Sequence, residues 1–154
     1  MTTEPRGRIK KPMAKAKTDQ KLVLSVHPRY KDNYPRYLQV IRHLAFRETP
    51  VGTRVRMQKL AKDIFTPERA EECSLELEAI GNEAIPILKD ALTSPLIEVR
   101  FYAATALAYL GNSDGLNALV ESARHERAFR VFALSAIATI EDAEAHLALR
   151  ELMS

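Results

Sequence analysis

Residues 98–110 read EVRFYAATALAYL, and residues 128–140 read AFRVFALSAIATI, which is the same pattern of side-chain types 30 residues later. Both stretches are apolar at most positions and carry an arginine at the same point, Arg100 and Arg130. Internal repeats of this length are typical of stacked helical-repeat proteins, in which each unit buries its apolar side against its neighbours. The match therefore predicts an all-α solenoid whose function is to present a surface.

The same periodicity continues on both sides of the matched stretches. Apolar spacing and glycine or proline punctuation predict helices at about 67–80, 83–92, 95–110, 114–124, 127–140 and 143–152. Gly81 and Gly111 are expected to end two of them, and Thr66-Pro67 and Ser94-Pro95 to begin two others. The second helix of each pair is apolar on nearly all sides, so we expect it to pack between neighbours. The final helix is expected to cap the stack.

Two segments carry a family resemblance in this region. The first is Ala84–Leu88 on a first helix, and the second is Glu98–Gly111 on a second helix. They resemble HEAT or armadillo-like repeats of the short bacterial type, over about residues 67–154. The resemblance implies a right-handed HEAT-like solenoid that serves as a scaffold for protein–protein assembly, and it implies no particular ligand.

The first 53 residues differ from the repeats in composition. Residues 1–20 are rich in basic and poor in apolar side chains, which predicts a disordered basic arm. Leu22–Val26 is a β-favouring run that predicts a short extended strand. Because a lone strand leaves backbone groups unpaired, it either adds to a strand of another protein or lies extended along the helices. We therefore expect an arm at 1–20, a strand–turn–helix segment at 21–53 and a repeat domain at 54–154.

A second resemblance falls on this segment. Leu22–Tyr30, followed by Tyr37–Ile41, is similar to a stretch of some bacterial flagellar P-ring-related proteins, and the likeness covers about residues 20–49. It implies a structural component or truncated relative of the basal-body P ring, which would be periplasmic in a longer parent protein. The basic N-terminus lacks the apolar core of a secretory signal, so the sequence as written predicts a cytoplasmic chain.

Charge is distributed unevenly along the 154 residues. Residues 1–56 hold 14 basic and 4 acidic side chains, and residues 57–154 hold 9 basic and 16 acidic ones, which gives +10 and −7. The basic half also interleaves aromatic side chains, a combination that binds single-stranded nucleic acid by stacking and phosphate neutralisation. A nucleic-acid-binding adaptor that uses residues 1–47 is therefore the alternative function. A docking face for a protein, or simple packing onto the first repeat, would use the same candidate residues: Arg29, Tyr30, Tyr34, Arg36 and Tyr37.

A second candidate surface lies in the matched stretches. Tyr102, Thr105 and Tyr109 share one helix face at spacings i, i+3 and i+7, and Phe132 and Ser135 are two of their equivalents. In stacked repeats such a face often lines the concave surface, where aromatic and hydroxyl groups suit protein recognition. Packing against the adjoining first helices is the other interpretation. For Arg100 and Arg130 the alternatives are a ladder toward an acidic partner and an internal ladder between repeats.

Little in the sequence indicates catalysis or a cofactor. Cys73 aligns with Ala103 and Ala133, which predicts a small buried core residue. The four histidines show no metal-ligand spacing, and the glutamates at 71, 72, 76 and 78 are expected to form a solvated helix face. The sequence also lacks an apolar run long enough to span a membrane. We therefore expect a non-enzymatic protein without metal or cofactor.

Overall fold

The structure is a computed structural model that describes residues 30–44 and 49–154 of the chain. The predicted basic arm (residues 1–20), the predicted strand Leu22–Val26, and Arg29 lie outside the described residues. The described part falls in two compact units that are divided between Asp32 and Asn33. Of the first unit only residues 30–32 are described, and they lie in a turn.

The second unit is helical throughout its described residues. Its helices are α1 (Tyr34–Leu44), α2 (Pro50–Asp63), α3 (Pro67–Ile80), α4 (Ile85–Ala91), α5 (Ile97–Tyr109), α6 (Leu116–His125), α7 (Arg130–Thr139) and α8 (Ala143–Met153). Short 3-10 turns at Asn82–Ala84, Ser113–Gly115 and Arg127–Phe129 lead into α4, α6 and α7. The all-α helical-repeat fold predicted from the sequence is confirmed.

The helices stack as successive pairs. α2 packs with α3, α4 with α5 and α6 with α7, while α3, α5 and α7 follow one another along the stack. α5 is buried on nearly every side, as the sequence predicted for a second helix. Small side chains such as Ala103 and Ala106 on α5 permit this close approach. The closest approach is at Gly115, where a Cβ atom would lie 2.7 Å from the Cα of Ala104.

Two glycines end helices at equivalent positions, as predicted. Gly81 has φ of 100° and Gly111 has φ of 82°, a region that favours glycine because it has no Cβ. Of the two predicted helix starts, Thr66-Pro67 is confirmed, because α3 begins at Pro67. Thr66 stands at the N-cap of α3, but its side chain makes no capping hydrogen bond. Ser94-Pro95 does not begin α5, which starts at Ile97; instead the Ser94 hydroxyl accepts a hydrogen bond from the Leu96 N–H at 3.2 Å.

The two matched arginines make an internal ladder. Arg100 donates to the Ser94 carbonyl at 2.7 Å and to the Glu121 carboxylate on α6 at 2.8 Å. Arg130 donates to the Ala123 carbonyl at 2.9 Å and to the Leu152 carbonyl on α8 at 2.8 Å. Each guanidinium therefore ties its own layer to the first helix of the next layer. Of the two sequence interpretations, the internal ladder is the one that the structure supports.

The first and last helices extend the stack at its two ends. α1 packs on α3 within the same compact unit as the repeats. α8 packs on α7 and α6, in the place of the first helix of a further pair. As a result, α7 is covered on one side by α5, α6 and α8 and is exposed on the other.

Candidate protein-binding surface

The uncovered side of α7 is an apolar surface at the end of the stack. Val131, Phe132, Ser135 and Ala138 are exposed, with 70% of Val131 and 63% of Phe132 accessible to solvent. We call these four residues the α7 face. Large apolar side chains exposed together on one helix mark an interaction site more often than scattered single ones do.

Comparison with α5 shows why this face is uncovered. The residues 30 positions earlier than Val131 and Ala138 are Phe101 and Ala108, which are 4% and 0% accessible. They are buried because α6, α7 and the turn before α6 pack on α5. The α7 face thus has the composition of a contact between two layers, but no helix among the described residues packs on it. Sequence reasoning did not single out Val131 and Ala138, because the repeat match alone does not tell an internal layer from the last one.

The structure corrects the candidate face on α5. Thr105 and Tyr109 are buried, and Tyr102 is half-buried, so these side chains do not form an open surface with Phe132 and Ser135. The Thr105 hydroxyl donates to the Phe101 carbonyl one turn earlier, at 2.8 Å. For Thr105 and Tyr109, the packing interpretation is the one that the structure supports. Phe132 and Ser135 are the members of the set that remain exposed.

Tyr109 is covered by the start of α1. The Asn33 side-chain amide donates to the Tyr109 hydroxyl at 2.7 Å, and the Arg36 guanidinium lies 4.8 Å from the centre of the ring. Burial raises the pKa of Tyr109, which keeps the phenol protonated. Asn33 was not identified from the sequence, although an asparagine just before a helix is a common N-cap, and its side chain accepts from the Arg36 N–H.

Tyr102 takes part in an aromatic cluster between layers. The rings of Phe101 and Phe129 stack with centroids 4.2 Å apart, and Tyr102 meets Phe129 edge-on at 5.7 Å. Because Phe129 precedes α7, the cluster joins α5 to the next pair. The pKa of Tyr102 is raised, chiefly because the side chain is partly buried and to a smaller extent because the Glu71 carboxylate is nearby. Tyr102 therefore packs in the contact between α5 and the turn before α7 and does not line an open groove.

Of the basic and aromatic candidate residues before the repeats, some are exposed and others are buried in the fold. Tyr34 is exposed and Tyr30 is half-buried, whereas Tyr37 is buried against the repeat unit. Arg36 is mostly buried and donates to the Glu78 carboxylate at 2.5 Å. The prediction that Arg36 and Tyr37 bind a partner is therefore corrected, because packing of α1 on α3 occupies both side chains.

The acidic row on α3 is only in part the solvated face that the sequence predicted, because Glu71 and Glu72 are exposed and the other two glutamates are not. Glu78 is buried beneath Arg36, and Glu72 accepts two hydrogen bonds from Arg42 at 3.0 and 3.2 Å. Glu76 accepts from Arg56 of α2 at 2.5 and 2.7 Å. The Arg56 hydrogen bond lowers the pKa of Glu76 below its ordinary value. Part of the charge asymmetry along the chain is thus neutralised within the fold, where basic residues of α1 and α2 meet acidic residues of α3.

The cysteine and the histidines of the described residues are not arranged as a nucleophilic or metal-binding site. Cys73 is buried in the core, and burial raises its pKa, which disfavours the nucleophilic thiolate. His43 lies 3.2 Å from the Glu72 carboxylate, while His125 and His146 are exposed. Among the described residues, no group of three or more His, Cys, Asp or Glu is placed to hold a metal ion. A search of the same residues for a helix of the length and apolarity needed to cross a membrane finds none.

One comparison with known proteins finds a match. Residues 99–125 match the family model described as PBS lyase HEAT-like repeat. The matched stretch begins in the first turn of α5 and ends with the last residue of α6, so it covers a second helix and the first helix of the following pair. Neither the curated proteins nor the solved structures contain a match to the chain. The family match at residues 99–125 and the stacked helix pairs both fit the HEAT-like helical repeats that the sequence predicted.

Proposed function

We propose that the protein is a non-catalytic helical-repeat scaffold that takes part in protein–protein assembly through the α7 face. The observation that carries the proposal is the exposure of Val131 and Phe132 at positions equivalent to a buried seam. A partner helix laid on this face would remove both side chains from water, which favours binding by roughly 25 cal/mol per Å² of apolar surface buried. An exposed aromatic beside small residues is also the usual composition of an interface hot spot and its surroundings.

The assignment as a scaffold rather than an enzyme rests on how the titratable groups are used. The carboxylates of Glu72, Glu76 and Glu78 each face an arginine of α1 or α2. Such pairs hold helices together, and these three carboxylates are therefore not poised as a general acid or base. HEAT-like repeats likewise offer surfaces far more often than reactive groups.

A finer proposal concerns the P ring. Its support is the resemblance of about residues 20–49 to flagellar P-ring-related proteins, which places the scaffold in a basal-body assembly or in a truncated relative of one. In that setting the longer parent protein would be periplasmic. The gene neighbourhood tests this directly. A flagellar rod or ring reading frame beside the gene is expected, and a gene remote from every flagellar cluster would count against the assignment.

The nucleic-acid alternative loses part of its basis in the structure. Arg36 is mostly buried and pairs with Glu78, so its guanidinium is not available to phosphates while α1 is packed, and Arg42 pairs with Glu72 at the surface. What supports the alternative is the basic composition of residues 1–31. Binding to single-stranded DNA and RNA, titrated with salt, separates the two functions. An affinity that falls steeply with salt would favour the adaptor, and the absence of binding at low salt would eliminate it.

Site-specific photo-crosslinking tests the scaffold proposal. A photoreactive phenylalanine analogue at position 132 should form a covalent adduct with a protein in the cells that make this chain. The matched control carries the analogue at Asn117, an exposed residue of α6. We expect a discrete adduct from position 132 and none from position 117. Equal labelling at both positions, or none at either, would contradict the assignment of the α7 face as the binding surface.

A further inference from the structure

The α7 face has a pattern that suits pairing with itself. We propose that the partner on this face is a second copy of the chain, with the two α7 helices packed antiparallel about a two-fold axis near Leu134 and Ser135. The inference rests on the proposed function, since it names the occupant of the same surface. A two-fold contact uses the same patch on both copies, so the patch must complement its own inverted image.

Side-chain size meets that requirement. Val131 stands near the start of α7 and Ala138 near its end, at equal distances from the centre of the helix. In the antiparallel arrangement the Val131 side chain of each copy lies opposite Ala138 of the other, so that a large group faces a small one at both ends. Ser135, close to the axis, is small enough for the backbones to approach. Interdigitation of large and small side chains is what close packing of helices requires.

Charge meets it as well. Arg127 is exposed just before α7, and Glu141 is exposed just after it. Antiparallel pairing brings Arg127 of each copy toward Glu141 of the other, giving two opposite-charge contacts at the rim. A parallel arrangement would instead place like charges together. Complementary rim charges select the register and orientation of an interface.

The equivalent face of α5 is covered within the fold, which shows that a helix face of this composition can be buried. α7 already packs on α5, whose Phe101, Ala104 and Ala108 occupy the positions of Val131, Leu134 and Ala138. The proposed contact continues that seam across a two-fold axis. The contact gives a dimer and no larger assembly, because the α7 face of each copy is fully used by the other copy.

Sedimentation equilibrium on the full chain measures the proposed dimer. The wild-type mass should rise from that of one chain to that of two as concentration increases. Phe132→Asp should weaken association by about 30-fold or more, the effect of losing one interface hot spot. Asn117→Asp on exposed α6 should leave it unchanged. A wild-type protein that remains monomeric up to millimolar concentration would overturn the proposal.

A charge exchange tests the antiparallel arrangement. Arg127→Glu alone should weaken association, because it places two glutamates together at each end. Arg127→Glu combined with Glu141→Arg should restore it, which general destabilisation of the fold would not do. A double variant that is no better than the single one would contradict the antiparallel register.

A disulfide provides a test that does not depend on weakening anything. Ser135→Cys should oxidise to a covalent dimer, because the two Cα atoms near the axis must lie within about 7 Å. Asn117→Cys should not. The photo-crosslink at position 132 then separates the two proposals. A self-adduct supports both, whereas an adduct with a different protein from a monomeric chain overturns the dimer and leaves the scaffold function standing.

Discussion

The ion pair between Arg36 and Glu78 shows how the fold uses residues that look functional in the sequence. The pair joins α1 to α3 across 42 positions of sequence, and the Glu78 side chain is fully buried. In the sequence, Arg36 belongs to a basic and aromatic run and Glu78 to an acidic helix face. Nothing local indicates that they meet, because the pairing depends on where α1 packs.

Arg36→Met should destabilise the protein by about 3–5 kcal/mol, because it removes the cation that faces a buried carboxylate. The control is Arg42→Met, which breaks the exposed pair with Glu72 and should cost about 0.2–1 kcal/mol. Urea unfolding followed by circular dichroism gives both values. Equal losses in the two variants would mean that the burial of Glu78 contributes little. Adding Glu78→Gln to Arg36→Met should recover part of the loss.

Gly115 is the residue that sets the closest approach between layers. A Cβ there would lie 2.7 Å from both the Cα and the Cβ of Ala104, so the turn or α5 would have to shift to make room for it. Gly115→Ala should therefore destabilise the fold by about 1–3 kcal/mol, the usual cost of overpacking, despite the better helix propensity of alanine. Ser113→Ala, on the exposed side of the same turn, should stay within about 0.5 kcal/mol. Thermal unfolding compares them, and a neutral or stabilising Gly115→Ala would show that the layers can separate freely.

At the scale of elements, the sequence predicted the helices well and their neighbours less well. Periodicity and glycine stops placed α3 and α5 within a few residues, because those signals are local. The positions of α1 and α2 on α3, and the ion pairs of Glu72 and Glu76 that follow from them, could not be predicted, since they depend on long-range packing. The same reason explains why the sequence left both an open face and packing possible for Tyr109, which is covered by the start of α1.

The contact between α2 and α3 should depend on pH through Glu76. The lowered pKa of Glu76 means that the pair with Arg56 adds stability above the ordinary glutamate pKa of about 4.3, and that this stability is lost as pH falls through the lower folded value. The nearby Arg69 lowers the pKa of Glu76 in the same direction.

Arg56→Gln should therefore cost about 0.2–1 kcal/mol at pH 7, and the difference from wild type should shrink toward zero below about pH 4. Lys59→Gln, an exposed cation of the same helix outside this pair, should show no such convergence. Unfolding curves at intervals from pH 7 to pH 3 supply the comparison. A difference that stays constant over this range would exclude the carboxylate of Glu76 as its cause.

At the scale of the whole molecule, the repeat match predicted the stack and the equivalence of Arg100 and Arg130. It could not predict that equivalent faces have different exposures. α5 and α7 have nearly the same pattern of side chains, yet Phe101 is buried and Val131 is exposed, because only α5 lies between two layers. In such a stack, the layer to which a helix belongs decides whether its face is exposed. The candidate binding surface therefore lies on α7 and not on α5.

In a stack held together by nearest-neighbour contacts, a substitution in one layer should destabilise that layer and its immediate neighbours only. Arg130→Met removes the hydrogen bonds to the Ala123 and Leu152 carbonyls, and with them the tie between α7 and α8. A loss of about 1.4 kcal/mol, typical for one hydrogen bond from a charged group, should speed amide hydrogen exchange in α8 about tenfold. Exchange in α3 and α4 should be unchanged. Arg100→Met breaks the equivalent tie one layer earlier and should raise exchange in α6 as well as α8, since α8 then rests on a weakened neighbour. Uniform acceleration from α3 to α8 in both variants would instead mean that the repeats unfold as one cooperative unit.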